Sequence, residues 1–112
     1  MENLSTFEIE ILNRFSKKYA FLETHLPLLS VNHREYTGVG LYINFIYTQD
    51  VERLPLDHAS LGTDEILCVE GLKNGLIFEL DISEGKINFI EFVSIGEEWD
   101  GHFLNYSFEA YD

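Results

Sequence analysis

The chain has 112 residues, of which 46% are hydrophobic and 14% aromatic, and its formal net charge at pH 7 is −13. This length fits one domain, residues 1–112, with a core large enough to fold without disulfides. The apolar content excludes a disordered acidic tail, although the net charge alone would suggest one.

The negative charge is concentrated in the second half of the chain. Residues 1–56 contain seven acidic and five basic residues, whereas residues 57–112 contain thirteen acidic residues and only two bases, Lys73 and Lys86. Repulsion among these acidic residues adds nothing to stability, so the excess negative charge is either tolerated or used to attract a basic partner. Nucleic acid is not expected as a partner, because the second half would repel a phosphate backbone.

The sequence predicts a cytoplasmic protein without a membrane span. The N-terminus has no basic segment followed by an apolar one, and no run approaches the roughly 18 apolar residues that a span needs. The lone Cys68 lies in the apolar run Ile66 to Val69. This position predicts a buried thiol in a reducing compartment.

The first predicted element is an amphipathic helix. Ser5 and Glu8 have the spacing of a capping box, and apolar residues recur at a helical period from Phe7 to Tyr19. The helix should end before Pro27, because a proline disfavours helical backbone in the residue that precedes it.

Beyond the helix the apolar period changes to two, which predicts strands. One strand is expected over residues 31–36 and a second over residues 39–47, joined by a turn at Thr37-Gly38. Residues 48–64 hold turn-forming residues among acidic and small ones, which predicts a long connection.

The second half is predicted to contain a short strand at residues 66–70, a hairpin and a final strand over residues 103–111. Glu84-Gly85 is the predicted two-residue turn of the hairpin. The resulting pairs are Ile82 with Ile87, Leu80 with Phe89, and Leu76 with Val93. In this register Glu91 falls on the apolar face, unless a bulge between Phe89 and Phe92 reverses the pattern. The bulge is the favoured alternative.

These elements together predict an α+β fold. An N-terminal helix is expected to pack on one face of a mainly antiparallel sheet of five or six strands.

Residues 96–102 concentrate three acids and the only tryptophan between two glycines. One interpretation is a solvated turn whose indole folds back on the core. The other is a binding loop, in which Trp99 is a rigid anchor and three carboxylates steer a cationic surface. The predicted partner-binding residues are Glu97, Glu98, Trp99 and Asp100, with Asp64 and Glu65 as a rim.

No catalytic or metal-binding motif stands out. The chain lacks a Gly-x-Ser-x-Gly elbow, a phosphate-binding glycine loop and a His-Glu-x-x-His pattern. Asp100, His102 and the distant His58 match neither a calcium loop nor a zinc motif. We therefore expect no enzyme activity, no metal and no cofactor.

Two groups of motifs stand out together in the sequence. The first is Arg34-Glu35-Tyr36-Thr37-Gly38-Val39-Gly40-Leu41-Tyr42. The second begins about 35 residues later and comprises Gly75-Leu76-Ile77-Phe78-Glu79-Leu80, Gly85-Lys86-Ile87-Asn88-Phe89-Ile90-Glu91-Phe92 and Glu98-Trp99. This arrangement, about half of the chain, is similar to a group of small uncharacterised bacterial proteins. Small acidic proteins of this kind resemble immunity proteins, including those of contact-dependent inhibition, that neutralise a cognate toxin.

Three hypotheses about function remain open at this point. The first is an immunity-like inhibitor whose acidic half covers the basic face of a toxin, with a nuclease as the fitting type because its site must attract phosphates. The second is a small-molecule-binding or enzymatic domain that uses the open face of the sheet, lined by His33, Arg34, Glu35, Tyr42 and Glu91. The third is a structural homo-oligomer joined through strand edges, in which the acids only maintain solubility.

Overall fold

A computed structural model describes residues 2–111 and begins with the expected helix. Helix α1 spans Thr6–Lys18. The capping box is confirmed: the Glu8 backbone N–H donates to Ser5 Oγ at 3.1 Å, and the Ser5 N–H donates to the Glu8 carboxylate at 2.7 Å. Two 3₁₀ turns, Ala20–Leu22 and Leu26–Leu28, lead from the helix into the sheet.

Seven strands follow, and every pairing between them is antiparallel. Their order in the sheet is β1-β2-β6-β5-β4-β7, with β3 also paired to β5. The predicted α+β class is confirmed. The strands are β1 Leu29–Tyr36, β2 Gly40–Tyr47, β3 His58–Leu61, β4 Glu65–Cys68, β5 Leu76–Ser83, β6 Lys86–Ser94 and β7 Ser107–Ala110.

The sheet has more strands than the five or six expected, because β3 forms within the predicted long connection. Its four residues pair with the last four residues of β5, from His58 opposite Ser83 to Leu61 opposite Leu80. A strand this short has little periodicity of its own, so its conformation depends on the neighbouring strand.

The β5–β6 hairpin has the predicted turn and a different register. Ser83 pairs with Lys86 and Ile82 with Ile87, as expected, but a bulge then leaves Asn88 without a partner on β5. The predicted pairs Leu80 with Phe89 and Leu76 with Val93 are wrong, since these leucines face Ile90 and Ser94. The bulge lies nearer the turn than residues 89–92, and it places Glu91 opposite Glu79, on the face away from the core.

The two faces of the sheet differ in character. One face packs against α1 and carries the buried side chains of β5 and β6, among them Leu76, Phe78, Leu80, Ile82, Ile90 and Phe92. Helix α1 contributes Ile11, Leu12 and Phe15 to this core. The other face, hereafter the open face, carries the alternate residues of the same strands and is at least partly exposed along its length.

Cys68 is half-buried rather than fully buried as expected. It ends β4 opposite Ser107 of β7. Partial burial, together with the neighbouring Glu109 carboxylate, raises the pKa of the thiol above its ordinary value. A separate finding concerns membranes: within residues 2–111, no helix combines the length and the apolar content that crossing a bilayer requires.

Candidate functional site

Trp99, the predicted anchor of a binding loop, is buried in the structure. Its indole is 4% exposed and lies edge-on to Phe103, with ring centroids 5.1 Å apart. Its Nε1–H donates to the His102 carbonyl at 3.1 Å, which satisfies the one polar group of the ring. The indole therefore fixes residues 96–102 to the core and is not accessible to a partner.

Two of the three acids beside Trp99 have structural contacts. The Glu97 carboxylate accepts the backbone N–H groups of Asn74 and Lys73 at 2.8 and 3.1 Å, and these bonds lower its pKa. Asp100 accepts the backbone N–H of His102 at 2.9 Å. Glu97 thus connects this loop to the β4–β5 turn, whereas Glu98 and Asp100 remain exposed.

Glu98 and Asp100 border a cleft of about 550 Å³ at one end of the sheet. Glu70 adds a third carboxylate to its lining, and Tyr36 and Trp99 also border it. The lining contains no basic residue. This cleft, which we call the loop cleft, has the chemistry of a site for a cationic side chain.

Asp64 and Glu65, the predicted rim, contact the helix. Lys18 Nζ lies 2.5 Å from the Asp64 carboxylate, and Arg14 binds Glu65 through two nitrogens. The bonds from Arg14 lower the Glu65 pKa. These pairs connect α1 to the start of β4, so both carboxylates already have a cationic partner within the chain.

A row of acidic and aromatic residues crosses the open face. Strand register places Glu35 of β1 opposite Tyr42 of β2, Tyr42 opposite Glu91 of β6, and Glu91 opposite Glu79 of β5. The Tyr42 hydroxyl donates to Glu91 at 2.8 Å, which raises the Tyr42 pKa. Two carboxylates directly opposite each other on neighbouring strands repel, so this row lowers the stability of the isolated protein.

A second row lies two residue pairs closer to the hairpin turn. It contains Asp81 of β5 opposite Phe89 of β6, and Phe89 opposite Asn44 of β2. The rings of Phe89 and Tyr42 meet edge to face with centroids 5.3 Å apart. On the other side of the acidic row, half-buried Ile77 and Val93 pair across β5 and β6. The open face therefore combines carboxylates with aromatic and aliphatic surface.

The set Glu35, Glu79, Asp81 and Glu91, hereafter the open-face acids, was not identified from the sequence as one surface. Glu79 and Asp81 alternate in β5, which indicates that acidic residues share one face of that strand. The bulge at Asn88 shifts the alternation in β6, so the same pattern could not be followed there from the sequence. Strand order, which local sequence does not reveal, brings Glu35 into the same row.

Residues proposed to line a small-molecule site are divided between the two sides of the sheet. Glu35, Tyr42 and Glu91 belong to the open face. Arg34 points to the helix side, where its Nε and Nη2 donate to the Glu8 carboxylate at 2.7 and 2.8 Å and where it also pairs with Glu2. The sheet therefore separates Arg34 from the acids that it was expected to accompany.

The bases of the chain do not neutralise the open-face acids. Four bases form ion pairs with other acids: Arg14 with Glu65, Lys18 with Asp64, Arg34 with Glu2 and Glu8, and Arg53 with Asp57. The Lys86 ammonium lies 5.7 Å from the centre of the Tyr47 ring. In the part of the chain that the structure describes, no ion pair includes an open-face acid.

Among residues 2–111, no group of three or more histidine, cysteine, aspartate or glutamate side chains is arranged to hold a metal ion. No protein-family model, curated protein or solved structure matches the chain.

Proposed function

We propose that the protein is an acidic protein-binding module, and specifically an immunity-like inhibitor that covers the active-site face of a basic toxin. The observation that carries this proposal is the open face, where four carboxylates lie on adjacent strands without an ion-pair partner in residues 2–111. Carboxylates in such an arrangement repel one another, and a cationic surface laid against them would remove that repulsion.

A nuclease toxin is the partner class that fits this charge best. An enzyme that binds a phosphate backbone needs a basic substrate face, and an acidic surface is complementary to that face. Bound there, the module excludes the substrate by occupying its place and needs no chemistry of its own. Opposite electrostatic fields also accelerate encounter, which an inhibitor requires if the toxin is to be neutralised before it acts.

The six partner-binding residues predicted from the sequence have different roles in the proposed complex. Glu98 and Asp100, at the loop cleft, remain exposed carboxylates that add to the negative field of the module. Glu97 and Trp99 would act by holding the loop in place, because one caps the β4–β5 turn and the other is buried. Asp64 and Glu65 would contribute only if a partner displaced the bases of α1.

Affinity capture at two salt concentrations tests the proposal. Tagged protein is incubated with a lysate of its source cells at about 20 mM and about 500 mM NaCl, because screening at the higher concentration weakens exposed charge pairs. We expect one basic protein to be retained at low salt and released at high salt. An unrelated acidic domain of similar net charge serves as the control bait for nonspecific capture.

The captured protein must then be inhibited by the module. Its purified form is assayed for nuclease activity with increasing amounts of the module, and its toxicity is measured with and without co-expression of the module. We expect loss of nuclease activity at a one-to-one ratio and rescue of growth. Capture of the same proteins by both baits, or a partner whose activity is unaffected, would refute the inhibitor function.

A further inference from the structure

The open face is an uncovered surface close to the size of an interface. The strands β1, β2, β6 and β5, together with β3, lie about 4.8 Å apart and their longer members have eight or nine residues of about 3.4 Å each. These dimensions outline roughly 650 Å², close to the roughly 800 Å² that each partner contributes to a standard protein–protein interface.

The composition of this surface indicates what kind of partner it fits. Half-buried Ile77 and Val93 form an aliphatic pair beside the acidic row, and the Phe89 ring lies on the other side of Glu91, in contact with the Tyr42 ring. Stable interfaces have an apolar centre with charged groups around it. Every charged side chain of the two rows is a carboxylate, so the complementary surface is basic.

The acidic row also lowers the stability of the folded protein, and the fold itself does not explain why these acids are present. Glu79 and Glu91 face each other across β5 and β6, although a neutral or opposite-charge pair at this register would favour the sheet. Ser60 donates to Glu79 at 2.5 Å and Tyr42 donates to Glu91 at 2.8 Å, so each carboxylate is held in place by a neutral donor from a neighbouring strand. Carboxylates fixed in position need less ordering when a cation binds.

We propose that the open face is the docking surface for the basic protein partner, with Glu79 and Glu91 as its main cation contacts and Ile77 and Val93 as the apolar patch beside them. This inference rests on the proposed function, and it assigns the contact to the sheet instead of the loop cleft. It commits to a protein surface that presents arginine or lysine beside aliphatic side chains, because nucleic acid would be repelled by the same carboxylates.

The test compares two variants with the same change in charge. Glu79→Gln with Glu91→Gln removes two charges from the open face, and glutamine can still accept the hydrogen bonds from Ser60 and Tyr42. The second variant, Glu98→Gln with Asp100→Asn, removes two charges from the loop cleft, which is the competing acidic site. The probe is a synthetic peptide of about eight residues in which arginine and valine alternate, since its side chains repeat with the period of an extended strand.

Binding is followed by amide chemical shifts of the labelled full chain at about 20 mM NaCl. We expect the peptide to shift residues of β2, β5 and β6, the open-face variant to lose about tenfold in affinity, and the loop-cleft variant to lose less than about twofold. Shifts confined to residues 96–102, equal losses in both variants, or the absence of shifts would each overturn the assignment. None of these results decides the proposed function, which depends on the capture experiment.

Thermal stability provides an independent readout that detects a folding defect. Removing the repulsion between Glu79 and Glu91 should raise Tm by about 2 °C, whereas the loop-cleft variant should not raise it. A more stable open-face variant that binds less well would show that these acids are retained for contact. A variant with lower Tm would overturn this account of the row, and the single change Glu79→Gln would then be tested for peptide affinity in the same way.

Discussion

The Glu8 carboxylate is the most heavily bonded acid on the helix side of the molecule. It is 3% exposed and accepts hydrogen bonds from Arg34 and from the Ser5 backbone. Burial alone would raise its pKa, but the hydrogen bonds from Arg34 and Ser5 outweigh burial and lower the pKa below the ordinary value of 4.5. Glu8 therefore connects the start of α1 to β1 as an ionised group.

Replacing Glu8 tests this role. Glu8→Ala leaves Arg34 without its main partner and removes half of the capping box, so we expect the free energy of unfolding at pH 7 to fall by about 2–3 kcal/mol. Urea denaturation measures the change, and Glu23→Ala, at an exposed position after the helix, is the control. A loss no larger than that of the control would mean that the pair contributes little.

The pH dependence of this loss has a definite sign. Because the folded-state pKa of Glu8 is lower than its unfolded value, its contribution is complete above about pH 4.5 and declines as the pH falls through the folded pKa. The difference in stability between the wild type and Glu8→Ala should therefore shrink below about pH 4. A difference that stays constant down to about pH 2 would contradict the pKa shift.

Tyr47, the last residue of β2, is the centre of a buried polar network. Its hydroxyl donates to His25 Nδ1 at 2.7 Å and accepts the Ile87 N–H at 2.8 Å, while His25 Nε2 donates to the Glu52 carbonyl at 2.8 Å. His25 is 2% exposed. The neutral imidazole with its proton on Nε2 satisfies all of these bonds, and this network links the first 3₁₀ turns to β6.

Tyr47→Phe should lower the free energy of unfolding by about 1–3 kcal/mol, because it leaves a buried ring nitrogen and a backbone N–H without partners. Urea denaturation measures the loss. Tyr42→Phe makes the same chemical change on the open face, where water can replace the hydroxyl, and we expect no measurable change in stability. Equal effects of the two substitutions would contradict the burial of the network.

At the scale of elements, the pairing of β2 with β6 depends on a glycine. A Cβ built on Gly40 would lie 2.2 Å from the Phe92 carbonyl oxygen, which is backbone and cannot move independently. Gly40→Ala should therefore separate the two central strands locally and lower the free energy of unfolding by about 2–3 kcal/mol. Gly62→Ala is the control, because nothing lies within 4 Å of the added methyl group. Chemical denaturation of both variants distinguishes close strand approach from a general cost of replacing glycine.

The elements that could be predicted from the sequence are those specified by neighbouring residues. The capping box at Ser5 and Glu8 and the Glu84-Gly85 turn are local, and both were predicted correctly. Strand β3 and the bulge at Asn88 were not, because each depends on pairing with β5. The surroundings of Trp99 likewise depend on Phe103 and on the Gly38 carbonyl, which accepts the Trp99 backbone N–H at 3.1 Å.

In the whole molecule, the ion pairs of α1 and the open-face acids lie on different sides of the sheet. The ion pairs lie on the helix side and in the loops, and among residues 2–111 none of them includes an open-face acid. The uneven charge of the two halves was visible in the sequence, but the existence of one acidic surface was not, because it requires the strand order that places β1 and β2 beside β6 and β5. The sequence therefore predicts the charge of the proposed partner, and the strand order indicates the surface that we propose for its binding.

Added salt should change the stability contributed by these two sides of the molecule in opposite directions. Screening weakens the exposed ion pairs of α1, which lowers stability, and it weakens repulsion among the carboxylates, which raises stability. With a net charge of −13 repulsion should dominate, so we expect Tm to rise by several degrees between about 20 mM and about 500 mM NaCl. The variant with Glu79→Gln and Glu91→Gln should show a smaller rise, because part of the repulsion is already gone. Differential scanning calorimetry measures both curves. A Tm that falls with salt would mean that the ion pairs on the helix side outweigh the repulsion, and the acidic surface would then impose no measurable cost that a partner could relieve.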